Sequence, residues 1–322
     1  MNWPNASSVI GTIAIGSTGY VGRFAPSPTG PLHFGSLLAA VASYLEARRH
    51  QGRWLVRIED IDPPREQAGA SEQIVAALER YGFEWDGPLV YQSASDRQHR
   101  EAIDTLFDSG LAYRCGCSRK DLADVPRGPL GRIYPGTCRD GSDANETATR
   151  VRTNDEPITF DDGLQGSQSL RLESESGDFV VLRRDNLVAY QLAVAIDDDL
   201  QEITEIVRGI DLMDSTPRQI WLQQCLGLHT PAYQHIPVAV HADGSKLSKL
   251  TGAEGITLTS VEPVLVAALE ALGQQPPAEL YDASLGEIWA WADQHWQIDV
   301  LRGLIAISTG EQAMAQQENP LR

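Results

Sequence analysis

Residues 23–36 read RFAPSPTGPLHFGS. Just before and into this run, residues 20–24 (YVGRF) are β-branched and aromatic enough to predict a strand. The APSPTG that follows, residues 25–30, is dense in Pro and Gly and turns the chain. From about residue 33 to 50 the apolar residues Leu37, Leu38, Val41, Tyr44 and Leu45 recur at helical spacing, and Gly52 lies just past the end. Moving outward, residues 54–59 (WLVRIE) predict a second strand, closed by Asp62-Pro63-Pro64. A helix is expected over 72–81, with Ile74, Leu78 and Tyr81 on one face and Gly82 as its stop. Another is expected over 96–109, capped by Asp96 and ended by Gly110. Strand and helix alternate, which predicts an α/β fold with a parallel sheet made of βαβ units.

The alternation breaks at Cys115. From there to about residue 185 the chain is rich in Gly, Pro and Asp, with short β-like runs, as expected of an insertion between two halves of one domain. The pattern resumes with segments 187–196 and 202–207, a helix at 216–226, a strand at 237–240 and a charged loop at 245–250. Beyond residue 262 the sequence looks helical to its end. Five regions are therefore expected: an N-terminal tail (1–19), a first sheet half (20–110), an insertion (111–186), a second half (187–250) and a helical C-terminal region (251–322).

Composition narrows the class. The chain has 322 residues, 42% of them apolar, so it can bury cores and is neither disordered nor fibrous. No apolar stretch approaches the roughly 20 residues of a membrane-spanning helix. Lys and Arg number 26 against 44 Asp and Glu, a formal net charge of −18. Such acidity disfavours a broad grip on a phosphate backbone but leaves room for a local basic site. Residues 1–22 carry no charge, and a secretory signal needs a basic start. They are expected to be a tail, or to follow from a start placed too early, rather than a targeting tag. The expected location is the cytoplasm, where four cysteines, Cys115, Cys117, Cys138 and Cys225, favour a metal or free thiols over disulfides.

Two constellations carry chemistry. At the opening of the first helix, outward-pointing N–H groups suit an anion. Gly35 lets a flat base or a phosphate come close, and His33 can donate to a phosphate oxygen. A plain strand–turn–helix with a surface histidine explains the same residues. Far downstream, Lys246-Leu-Ser-Lys249 places two lysines around a serine, a cationic clamp suited to a triphosphate or simply a solvated loop.

Taken together and in this order, RFAPSPTGPLHFGS closely resembles the HIGH region of class I glutamyl- and glutaminyl-tRNA synthetases. KLSK resembles their KMSKS loop, and residues 57–62 (RIEDID) resemble the element after the second strand. Ser36 stands in place of the second His of HIGH, and Leu250 in place of the last Ser of KMSKS. The resemblance spans about residues 20–250. It implies a class I Rossmann-like parallel sheet split by a zinc-containing insertion, with a short helical C-terminal region. It implies activation of L-glutamate by ATP with Mg²⁺, without a protein nucleophile. Carried over by motif, His33, Gly35, Ser36, Lys246, Ser248 and Lys249 would bind ATP, with His33 and Lys249 stabilising the transferring phosphate. Arg23 would pair with a carboxylate, Phe24, Ala25, Pro26 and Ser27 would line the pocket, and Glu59 would take the substrate ammonium. Tyr190 and Arg208 match glutamate-holding positions. By composition alone, Glu59 is a strand-end surface carboxylate, Tyr190 a core residue and Arg208 a salt-bridged strand end.

Cys115, Cys117 and Cys138 form a third constellation. Three thiols on Gly/Pro-rich loops can converge on a tetrahedral Zn²⁺ or remain free, and spacing offers no fourth ligand: His99, the nearest histidine, sits on an expected helix. The resemblance supplies Tyr134, since short members of the family carry a C-x-C…Y-x-x-x-C site. Cys225, on an apolar helix face, is expected to be a core thiol. Residues 114–139 hold six basic side chains (Arg114, Arg119, Lys120, Arg127, Arg132, Arg139) and two acidic ones (Asp121, Asp124), where RNA phosphates or only solvent could be met.

Only 72 residues follow Leu250, too few for the family's full anticodon-reading region. With HFGS, KLSK and the Cys/Tyr pattern, this resembles the short branch that transfers glutamate to the cyclopentene ring of queuosine in the anticodon loop of tRNA(Asp), not to the 3′ end. The partners implied are that anticodon stem-loop, L-glutamate and ATP, with no membrane and a monomeric chain. A truncated synthetase charging the 3′ end of tRNA(Glu), a small-molecule adenylating ligase and a non-catalytic nucleotide-binding paralogue are the alternatives.

Overall fold

Strand β1 (Val21–Phe24) is buried along its whole length and alternates its side chains between two cores. In a computed structural model of the chain, which describes residues 19–240, 255–256 and 258–308, β1 leads into α1 (Phe34–Arg49), β2 (Arg53–Ile58), α2 (Ala70–Arg80) and β3 (Val90–Tyr91). β1, β2 and β3 pair in parallel in that order. Gly30 makes the turn into α1 possible: its φ of +134° is a backbone state that side-chain-bearing residues avoid.

After α3 (Asp96–Asp108), the chain leaves the sheet through β4 (Ala112–Cys115), the two-residue strands β5 (Arg127–Gly128) and β6 (Gly131–Arg132) and β7 (Ala148–Val151). The hairpin β8 (Pro157–Asp162) and β9 (Gly166–Arg171), the single turn α4 (Leu172–Glu175) and β10 (Phe179–Leu182) follow. β10, β7 and β4 form an antiparallel sheet of their own.

Re-entry begins with α5 (Tyr190–Leu200). β11 (Glu205–Gly209), α6 (Thr216–Leu226) and β12 (Ala232–Ile236) complete a second parallel pair, which β8 meets at Tyr233↔Asp162. Thr204 donates its N–H to the Val21 carbonyl at 3.0 Å, and Val21 donates to Thr204 Oγ1 at 2.9 Å, tying the start of β1 to the entry of β11. β1 is thus flanked by β2 on one side and β11 on the other. Strand order reverses there, which opens a crevice at the carboxyl ends of the strands.

The remaining elements are β13 (Val238–Val240), α7 (Val261–Ala271), α8 (Leu285–His295) and β14 (Ala306–Ser308). One core packs α1, α7 and α8 against Phe24, Trp54, Val56 and Ile58. The other packs α3, α5 and α6 against Val21 and Leu55. Leu37, Leu38, Val41, Leu45, Ile74, Leu78 and Tyr81 are all buried, as their helical spacing requires.

The structure departs from the sequence expectations in four places, one of them at Asp96, which opens α3 as its first residue while Ser95 takes the cap position. β12 precedes the expected strand at 237–240, because Pro237 has no N–H to donate and divides the run into two strands. The C-terminal region is not helical throughout: β14 pairs in parallel with β13, a long-range partner that residues 306–308 do not reveal by themselves. Cys225 is half-buried against the second core rather than enclosed by it.

Candidate active site

The period of two along β1 and β2 decides which side chains meet. Phe24 and Trp54, Val56 and Ile58 face the first core, so Arg23 and Arg57 face α5. There they find Asp198. Arg23 donates from Nε and Nη2 to the two carboxylate oxygens at 3.1 and 3.3 Å, and Arg57 Nη2 donates to Oδ1 at 2.8 Å. Burial would raise the Asp198 carboxyl, but the two guanidinium charges overcome it and hold the pKa below the usual range. Glu59, one residue beyond β2, is 7% exposed, with Arg57 Nη2 at 3.4 Å. Burial dominates there and pushes its pKa up to about 7, against the pull of Arg57 and Arg23. Its N–H donates to the Pro26 carbonyl at 2.9 Å, which ties the ends of the two strands together.

Across the crevice, Arg208 at the end of β11 is 4% exposed. It donates from Nε to His235 Nε2 at 3.0 Å and from Nη2 to Thr216 Oγ1 and Gln219 Oε1 at 2.8 and 2.9 Å. Its Nη1 is buried with no hydrogen-bond partner among the described residues. A buried unpaired donor is costly, on the order of 1–3 kcal/mol or more for a charged group, so it marks a place that a ligand acceptor would fill.

His33 caps α1. Its Nδ1 accepts the Ser36 N–H at 3.3 Å. That leaves Nε2 protonated in the neutral ring, where it donates to Ser36 Oγ at 3.0 Å. Ser36, the residue that departs from the HIGH pattern, therefore holds the imidazole at the helix N-terminus.

Arg23, Phe24, Ala25, Pro26, Ser27, His33, Gly35, Ser36, Glu59, Tyr190 and Arg208 all line one cavity of about 390 Å³ at the carboxyl ends of β1, β2 and β11. A side chamber of about 190 Å³ shares Ser27, Thr29, Glu59 and Tyr190 with it. Lys246, Ser248 and Lys249 lie outside the described residues. One end of the cavity therefore gathers cations, a buried carboxyl and a tyrosine, and the other presents a histidine and a helix N-terminus. That suits a zwitterion with an extra carboxylate beside a phosphate.

The chain matches the family model described as "tRNA synthetases class I (E and Q), catalytic domain" over residues 20–262. It is 50% identical over 292 residues to a protein of Pseudomonas fluorescens named glutamyl-Q tRNA(Asp) synthetase, covering 90% of this chain and 96% of that one. A protein of the same name from Aromatoleum aromaticum is 51% identical over 305 residues, 94% of this chain and 96% of its own. The chain belongs to the class I E/Q synthetases, in their glutamyl-Q tRNA(Asp) synthetase branch. Among solved structures, the glutamate-tRNA synthetase of Elizabethkingia anophelis aligns with a TM-score of 0.77 at 22% identity, covering 94% of this chain and 71% of that one. That likeness concerns the fold.

Sequence reasoning missed several buried partners in this class I synthetase. Asp198 joins Arg23 to Arg57. Asp162 and His235 stand behind Arg208, with His235 Nδ1 and Asp162 Oδ2 2.5 Å apart. A signal existed for two of them: Asp198, with Asp197, interrupts an apolar helix, and His235 sits among buried residues of its strand; Asp162, beside Asp161 in a half-exposed strand, offered none.

The synthetase's cysteine cluster lies away from the cavity. The Sγ atoms of Cys115, Cys117 and Cys138 all lie within 4.8 Å of one another. Tyr134 Oη is 3.3 Å from Cys115 Sγ and 3.7 Å from Cys117 Sγ. Gly177, at φ +68°, lets the backbone pass Tyr134: a Cβ there would sit 2.3 Å from the Tyr134 carbonyl oxygen. His99 is no member of the cluster, since its Nε2 pairs with Asp197 Oδ1 at 2.9 Å inside the second core. Of the six basic residues noted at 114–139, Arg139 is held by Asp178 and Glu173, while Arg114, Arg119, Lys120, Arg127 and Arg132 are exposed.

Proposed function

We propose that this protein activates L-glutamate with ATP·Mg²⁺ in the absence of tRNA, and transfers the glutamate to queuosine in the anticodon loop of tRNA(Asp). The observation that carries the first step is the single cavity lined by Arg23, Glu59, Tyr190 and Arg208 together with His33, Gly35 and Ser36. The relatives that share half of its residues bear the name of the second step.

In this reaction a glutamate carboxylate oxygen attacks the α-phosphorus of ATP, the bond to the bridging oxygen breaks, and pyrophosphate leaves. A queuosine hydroxyl then attacks the acyl carbon, and AMP leaves. Arg208 Nη1 and the remaining Arg23 nitrogen receive a substrate carboxylate, with Tyr190 beside them. Glu59 takes the ammonium. His33 and Lys249 stabilise charge on the transferring phosphate, while Gly35, Ser36, Lys246 and Ser248 hold the nucleotide. Mg²⁺ supplies charge neutralisation on the phosphates when bound. The exposed basic side chains around the cysteine loops meet the RNA backbone locally, which an acidic chain permits. We take the enzyme to act as a monomer in the cytoplasm.

We also assign a structural Zn²⁺ to Cys115, Cys117, Tyr134 and Cys138. A tetrahedron with Zn–S bonds near 2.3 Å has edges of about 3.8 Å, and Cys117 Sγ and Cys138 Sγ are 3.5 Å apart. The ion would pin the loops after β4 to Tyr134. Purified protein is expected to carry one zinc per chain by elemental analysis. Cys117→Ser should lose the ion and several degrees of Tm, with pyrophosphate exchange reduced much less than Tm.

A pH dependence follows from Glu59. Only its ionised form can take an ammonium, and its pKa stands at about 7 in the free protein. KM for glutamate is expected to be flat above about pH 7.5 and to rise towards tenfold per pH unit below about pH 6.5. Glu59→Gln should give a high KM without this limb. A wild-type KM flat across the range would contradict the ammonium role.

Glutamate-dependent ATP–pyrophosphate exchange with no tRNA present tests the activation step. Glutamate is expected to support it and glutamine not; a requirement for tRNA would contradict the proposal.

A further inference from the structure

Arg208 is anchored by a buried chain of groups that no assigned role includes. Asp162 ends β8 and accepts three backbone N–H groups on Oδ1, from Leu164, Gln165 and His235, at 3.0, 2.9 and 3.2 Å. Its Oδ2 faces His235 Nδ1. Both side chains are fully enclosed. Burial lowers the His235 pKa, and the Arg208 charge adds to it against the counter-pull of Asp162, so the ring is neutral. A neutral imidazole has one N–H and one lone pair. Asp162 fixes the N–H on Nδ1, because an ionised carboxylate can only accept. The lone pair then sits on Nε2, where it accepts from Arg208 Nε; Thr216 Oγ1 lies 3.3 Å from the same nitrogen.

We infer that Asp162 and His235 are positioning residues for substrate selection. They set the tautomer that locks the Arg208 fork, so that Nη1, its one nitrogen without a hydrogen-bond partner among the described residues, is presented to the substrate carboxylate. This rests on the proposed placement of glutamate against Arg208. Asp162 lies in the hairpin of the inserted segment, so that segment completes the amino-acid site through its pairing with β12. Paired with the remaining Arg23 nitrogen, a fixed Nη1 donor would favour a carboxylate, whose two oxygens both accept, over an amide, which has one accepting oxygen and would turn its NH₂ toward the second donor.

Asp162→Asn keeps the shape and can keep the accepting Oδ1, but turns an NH₂ toward His235 Nδ1. The ring must then place its proton on Nε2, which opposes Arg208 Nε–H, as wrong-tautomer variants do elsewhere. KM for glutamate in tRNA-free exchange is expected to rise about 10- to 100-fold, with kcat and the ATP KM within about threefold of wild type. His235→Leu, which removes the acceptor, should match it. His235→Gln offers an amide oxygen to Arg208 Nε and should recover most of the affinity. If His235→Leu fails to fold, Asp162→Asn and His235→Gln decide. Equal losses in glutamate KM, ATP KM and kcat, or a glutamate KM unchanged in folded Asp162→Asn, would overturn the inference. Absence of glutamate-dependent exchange in the wild type would instead sink the proposed reaction.

Discussion

Replacing Arg208 with methionine is expected to raise KM for glutamate on the order of 10²- to 10³-fold, with the ATP KM little changed. Methionine keeps much of the length and none of the charge. The loss combines a buried charged contact to the substrate with partners left unpaired behind it, a class of change that costs about 2–5 kcal/mol. His235 Nε2, Thr216 and Gln219 would each lose a donor. Arg208→Lys should recover little, because a single ammonium cannot serve three anchors and a ligand at once. Steady-state exchange kinetics, with CD and Tm confirming the fold, check both variants. A glutamate KM within threefold of wild type for Arg208→Met would remove Arg208 from the amino-acid site.

Lys249→Ala is expected to act on the other parameter. A cation aimed at charge that develops on the transferring phosphate contributes to kcat, and removal of one such donor costs on the order of 10²- to 10³-fold. Glutamate binding should change by less than about threefold, since no part of the amino acid touches the KLSK loop in this scheme. Equal losses in kcat and in glutamate affinity would mean that Lys249 serves binding rather than the chemical step. His33→Asn should also lower kcat, less steeply, because the N-terminus of α1 still faces the phosphate.

The sequence made the frame of this site legible for a local reason. A strand, a Pro/Gly turn and a helix opening are neighbours in the chain, so RFAPSPTGPLHFGS reports its own geometry, and α1 begins at Phe34 beside the expected start. What local pattern could not reveal is pairing at long range. Asp198 lies 175 residues from Arg23, and Asp162 lies 73 from His235. Asp198 sits in a largely apolar helix and His235 beside buried apolar residues of its strand, which marks each as partnered without naming the partner; Asp162 follows a second acid, Asp161, in a half-exposed strand and carries no such mark. The same holds for β14, whose three residues become a strand only beside β13. Tyr134 shows the converse. Spacing among the cysteines left a fourth ligand open and the family resemblance pointed to Tyr134; the fold sets its hydroxyl beside the Cys115 and Cys117 sulfurs, where it also accepts the Cys138 N–H.

The acceptor is the claim on which the rest depends. Labelled glutamate, ATP and the protein should be incubated with tRNA(Asp) carrying queuosine and with the same tRNA lacking it. Label is expected on the queuosine-containing tRNA alone, and in its anticodon fragment after nuclease cleavage. Equal labelling of both tRNAs, or label recovered at a 3′ end, would contradict the account.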